Sequence, residues 1–404
     1  MSPTSSISIP HLLPRRLLGP LGLSLLLVSM VIAPATTSAQ QTPAQPPAGA
    51  AAAKGVFDTK TAPIPDALRD PRTDMRKFIT DIAAFARKAK PSFVIVVEDG
   101  FRLIADEDEL DQDRLIPNIQ FMEQIDGVLS DGFRHPADGP REEEDQVVME
   151  TLGTIARNSR LPVLTIEHTQ PELAGAAIAR DVRDGYTPFV PADALESGIP
   201  KTPSRPIGEN GNSIASLAST KNFIIIRDSS ALGTQEEYAR RIRATNYDLL
   251  IMDVYHARQP INKQTLEDLK YKLLGAKRMV LATVDVGRAN PFHFYWKPEW
   301  KQSSPRFVDE KVKDASGRHY VRYWYPEWRN IIMGGAQSYI GGLILHGFDG
   351  IVIRGVDAYR FFDGSLQEEM EDKAAKMKKS AGKEMPTDKK ETEKMEGAEK
   401  PPAK

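Results

Sequence analysis

The chain has 404 residues, 41% of them apolar and 27% charged, enough to bury the core of one large domain or two average ones. Its 53 Lys and Arg nearly balance 55 Asp and Glu, so the net charge of -2 gives no global electrostatic pull toward nucleic acid. The lack of any cysteine excludes a disulfide framework, a thiolate metal site, a cysteine nucleophile and a lipoprotein anchor.

In chain order, residues 1–39 carry the pattern of an export signal. Arg15 and Arg16 precede the apolar run 17–33, and Thr37-Ser38-Ala39 offers a small-residue cleavage site. The expectation is a periplasmic or extracellular protein that touches a membrane only through an uncleaved signal, since Gly19, Pro20 and Gly22 weaken the run as an anchor. Residues 40–73 form an Ala/Pro-rich linker. Eight short apolar runs follow: 92–97, 126–130, 162–167, 187–191, 222–228, 248–253, 278–285 and 348–354. Most are continuous rather than alternating, as strands buried on both faces are. Amphipathic patterns at 76–90, 146–160, 235–245 and 263–275 lie between them and read as helices. Strands alternating with helices predict an α/β fold of parallel units. Eight of them in a stretch of barrel size, 74–365, predict a closed (β/α)8 barrel of the TIM type, with an open doubly wound sheet as the alternative. The remainder, 366–404, mixes Lys and Glu with too few apolar residues to order itself and is expected to be a disordered tail.

Charged residues punctuate the C-terminal ends of these runs: Glu98, Asp131, Glu167, Asp228, Asp253, Asp285 and Arg354. In a barrel such ends converge on one face, where active sites are built, so a pocket is expected there. All four tryptophans fall between 296 and 328, in FHFYWKPEW and YVRYWYPEW, within the long connection between the last two runs. Aromatic faces beside carboxylates suit sugar rings, and Trp296 and Trp324 are the candidates for stacking; the same residues could equally pin the loop. His256, His293 and His319 show no paired ligand spacing, so neither a metal nor another cofactor is expected.

The segments YDLLIMD (247–253), LEDLKYKLLGAKRMVLA (266–282), FHFYWKPEW (292–300), YVRYWYPEW (320–328) and GFDGIVIRGVDAYRFF (347–362) together resemble the endo-α-1,4-polygalactosaminidases, glycoside hydrolase family 114. Residues 74–191 resemble the other half of the same family. The resemblance therefore implies a circularly permuted barrel, with the family's C-terminal half (74–191) written first, a joining segment at 192–221, and the N-terminal half (222–365) second. Both tails are then expected on the catalytic face.

The resemblance also implies losses. Where the family has a Gly-Glu-Ala-Glu segment, this chain has Gly287-Arg288-Ala289-Asn290, and Arg354 stands where the family has an aspartate. Ala315 replaces a family tryptophan. A guanidinium does not titrate at usable pH, so neither arginine can act as acid or base. Asp253 and Asp357 match family aspartates. A relocated catalytic set would draw on Asp253, Asp285 and Glu167, with Glu98, Asp131, Asp228, Arg288, Arg354 and Asp357 contacting substrate. The competing expectation is that Arg288 and Arg354 form ion pairs with Asp253 and Asp285, because a buried arginine needs an acidic partner. The sequence thus leaves two functions open: a hydrolase of a galactosamine-containing or related exopolysaccharide, or an inactive barrel binding a glycan or protein partner through the old cleft.

Overall fold

The computed structural model describes residues 64–371 and 375, apart from 109, 112, 113 and 315. The expected signal, the first two thirds of the linker, most of the tail and Ala315 lie outside the described residues.

Each of the eight apolar runs forms a parallel strand: β1 (Val94–Glu98), β2 (Gly127–Asp131), β3 (Val163–Ile166), β4 (Thr187–Phe189), β5 (Phe223–Ile226), β6 (Leu249–Met252), β7 (Met279–Asp285) and β8 (Gly350–Arg354). The ladder runs β4-β3-β2-β1-β8-β7-β6-β5, so the first and last strands of the chain pair side by side, Val94 against Gly350 through Val97 against Ile353. Helices surround the sheet, and the architecture is a nearly closed TIM-type barrel. Among the described residues no backbone ladder joins β4 to β5. Side chains close that seam instead, with the Phe189 ring 5.4 Å from Phe223 and 6.4 Å from Tyr247.

The main helices are α1 (Pro71–Ala89), α2 (Glu143–Asn158), α3 (Pro171–Arg183), α4 (Gln235–Arg243), α5 (Lys263–Leu269), α6 (Pro326–Met333) and α7 (Tyr339–His346). α1 begins before the expected boundary at 74, because Asp70 caps it by accepting the Arg72 and Thr73 backbone N–H groups and Pro71 takes the first helical position. Its buried stripe, Met75, Phe78, Ile79, Ile82, Ala83 and Ala86, follows the helical period. α5 stops short of the pattern read to 275. Lys272 turns inward, and its ammonium meets Asp248 at 2.8 Å with both side chains fully buried, which leaves Leu273 and Leu274 exposed.

The connection from β4 to β5 carries no α-helix. It returns as irregular chain with a 3-10 turn at Leu217–Ser219, held by the buried Leu217 and by Ile214 N–H donating to Lys277 O. The two described ends converge on one surface. Asp66 accepts from the Trp324 indole at 2.9 Å, and Phe362, beyond β8, lies 4.9 Å from the same indole ring. Residues 365–371, which take in the start of the tail expected to be disordered, are helical, and Glu369 pairs with Arg360.

Candidate functional site

Register decides which strand-end residues face the barrel axis. Glu98 stands beside Leu129 of β2, Asp285 beside Arg354, and one step beyond the Ile226–Met252 pair Arg227 lies beside Asp253. Asp131 stands beside Ile166, so the next residue, Glu167, points to the outside. The contacts agree. Thr165, two residues earlier on the same face, donates to Asp181 of α3, while Glu167 accepts the Arg134 and His135 backbone N–H groups at 3.1 and 2.8 Å. Burial, with Asp181 nearby, pushes the Glu167 carboxyl up to about 8. Of the expected catalytic set, Glu167 is therefore kept from the mouth by strand alternation.

The mouth is organised by a residue the sequence reading passed over. Arg227, at the end of β5, spans the barrel to β1 and β2: its guanidinium meets Glu98 at 3.1 Å, Asp131 at 3.2 Å, and Glu196 of the joining segment. Arg354 meets the other Glu98 oxygen at 3.0 Å. Despite its burial, Glu98 is held below the ordinary carboxylate range by these two arginines. Glu196 is pushed up to about 7, first by burial, since it shares Arg227 with Asp131 and Glu98. Asp131, His168 and Glu196 lie close enough to suggest a cation site, with His168 Nε2 2.6 Å from Asp131. The guanidinium of Arg227 already bridges Asp131 and Glu196, so a metal there would have to displace it.

A second network closes the β7–β8 side. Asp285 accepts the Arg288 backbone N–H at 2.9 Å and pairs with Arg318 at 3.1 Å, while Arg288 pairs with Asp357 and approaches Asp285 at 4.0 Å. The expected ion pairs are thus partly redistributed. Arg288 does meet Asp285, but Arg354 goes to Glu98, and among the described residues Asp253 takes part in no ion pair. Asp285 is thus held by the Arg318 guanidinium and the Arg288 backbone, and burial raises its carboxyl above the ordinary aspartate range.

Asp253 lies instead in an open cleft of about 360 Å³, within the range of small-ligand sites, lined also by Arg227, Asp228, Tyr255, Arg258, Asn290, Phe292 and His293. Among the described residues its carboxyl accepts only the Tyr255 N–H, at 2.8 Å, and burial raises it above the ordinary aspartate range. Asp228 is exposed at the edge of the cleft and is lowered by its hydrogen bonds to Ser230. Burial drops His293 to about 4, so its imidazole is neutral.

The tryptophans lie elsewhere. Trp328 is buried and donates to Val286 O at 2.8 Å, Trp296 stacks on His319 at 5.3 Å, and Trp324 packs on the rim against Asp66 and Phe362. Neither Trp296 nor Trp324 lines the cleft. Its aromatic surfaces are Tyr255 and Phe292, the latter 70% exposed.

No family model matches the chain. It is similar to an uncharacterized protein of Methanocaldococcus jannaschii, 29% identical over 30% of this chain and 34% of the relative. It is also similar to uncharacterized proteins of Thermotoga maritima, 24% identical over 37% of this chain and 45% of the relative, and of Deinococcus radiodurans, 31% identical over 21% and 27%. The matched stretches thus span less than half the length of each of these relatives.

Proposed function

We propose that this barrel acts on a polysaccharide or oligosaccharide held in the cleft over β5 to β7, with Asp253 and Asp228 as its acid–base pair. One observation carries the reading: a single cleft holds two carboxyl groups whose surroundings push their proton affinities apart, Asp253 upward by burial and Asp228 downward by hydrogen bonds to Ser230. Glycosidic cleavage needs this division of labour. A protonated carboxyl donates to the departing oxygen, and an ionised one activates water or attacks the anomeric carbon. Resemblance to glycoside hydrolase family 114 supports a glycan as substrate. A rearranged order of its halves is consistent with relatives that match only part of the chain.

A specific observation favours a second reading, binding without turnover. Glu98, Asp131, Asp285 and Asp357 are all held by arginines, which leaves few carboxylates for chemistry. Release of reducing ends from acidic, neutral and amino-sugar exopolysaccharides separates the two. Release abolished by both Asp253→Asn and Asp228→Asn supports hydrolysis by this pair, and full activity in either variant refutes the assignment. Saturable binding with no release identifies the protein as a binder.

A further inference from the structure

We infer that the cleft takes an anionic sugar, whose carboxylate or sulfate is read by Arg258; this rests on the glycan site proposed above. Arg258 stands on a two-residue turn joining the short antiparallel strands Tyr255–His256 and Gln259–Pro260. Ala257 and Arg258 take φ values of 46° and 67°, the left-handed pair such a turn requires and Asn-Gly normally supplies. The turn places Arg258 on the wall of the cleft that also holds Asp228 and Asp253.

Arg258 differs from the other arginines of the mouth. Arg227, Arg288, Arg318 and Arg354 are each engaged by carboxylates at 3.2 Å or closer. Arg258 is exposed, and among the described residues it takes part in no ion pair. Its guanidinium lies 5.4 Å from the Phe292 ring centroid, so the planar fork rests on an exposed aromatic face, and among the described residues no acceptor fills its donor edge. Asn290 lines the same wall. Its Oδ1 accepts the Phe292 N–H at 3.0 Å, and among the described residues its amide nitrogen has no partner. A fork, an amide donor and an aromatic face together suit a sugar ring that stacks through its C–H face and presents an acidic substituent. A neutral sugar leaves the fork unfilled, and a protonated amino sugar meets a like charge.

Calorimetric titration of the full chain with four oligosaccharides of equal length tests this: an oligouronate, a sulfated galactan, a neutral galactan and a deacetylated galactosamine oligomer. One of the anionic ligands is expected to bind about tenfold or more tighter than the neutral one, and to weaken as salt is raised. The carboxylate and sulfate arms show which acidic group is read. Arg258→Glu should lower that affinity by about tenfold or more. Arg258→Asn, which suits the left-handed turn, should lower it with the turn kept. Arg183→Gln, on the exposed face of α3, should leave it unchanged. Neutral or cationic oligomers bound as tightly, with Arg258→Glu without effect, overturn the charge assignment and leave the glycan site standing. If no oligosaccharide binds, both fall.

Discussion

Arg227 brings one positive charge among three carboxylates, two of them, Glu98 and Glu196, almost fully buried. Its value to the fold lies less in the attraction than in what its removal would strand. Arg227→Met keeps the apolar stem and leaves buried carboxylates without their guanidinium, at an expected cost of about 3–5 kcal/mol near pH 8. The pH dependence has a definite sign. With the arginine gone, Glu196 has a folded-state proton affinity further above its unfolded one, and Glu98 keeps only Arg354 against its burial. The folded variant then binds protons the unfolded chain has released, and its stability falls as pH rises through that window. Glu196, already held up to about 7 beside Arg227, leads this behaviour. Urea unfolding at pH 5.5 and 8 should show a deficit that shrinks on the acid side. A deficit under about 1 kcal/mol at pH 8 would show that the network is decorative.

At the level of elements, the loops after β7 and β8 cross in contact, and two glycines allow it. A Cβ on Gly287 would lie 1.9 Å from Gly355 O and 2.6 Å from the Ala358 Cβ; Gly355 has φ 71°, and a Cβ there would lie 2.0 Å from an Asp285 oxygen. This crossing sets Arg288 against Asp357 and packs Asp285 under the turn. Gly287 is thus fixed by the close approach of the two loops, whatever side chains follow it at Arg288 and Asn290. Gly287→Ala is expected to cost about 1–3 kcal/mol, because the obstruction is backbone and cannot swing away. It should also weaken ligand binding, since Asn290 follows on the same loop. Thermal unfolding and titration together check it, and unchanged values in both would show that the loops part easily.

Over the whole molecule, legibility followed burial. Barrel strands are buried on both faces, so most of the eight read as continuous apolar runs, and the fold comes with them. α3 was not marked, because its inner face is built from Ala174, Ala177 and Ile178, too small to announce a stripe. Site residues were harder for a reason of geometry. At the end of a strand, adjacent residues face opposite sides, and only the partner's register says which is inside. Hence the sequence points to Asp228 where its neighbour Arg227 faces the axis, and to Glu167 in a mouth it turns away from. The barrel's order also suggests a test at this scale. The β1–β8 ladder joins the two ends of the chain without a covalent link, whereas the covalent link between β4 and β5 supports no ladder. Moving the break should then be tolerated: a chain opened between Ser204 and Arg205, both exposed, with residues 66 and 365 joined by a short flexible linker. Asp66 meets Trp324, Phe362 packs on the same ring three residues before the other joined end, and changing a loop's length costs only about 0.6 kcal/mol per doubling. Such a chain should fold with barrel-like circular dichroism, lose less than about 3 kcal/mol, and bind the same ligand. If it fails to fold, the joining segment is doing more than returning the chain: its contacts through Glu196 and Leu217 must then hold the open seam shut.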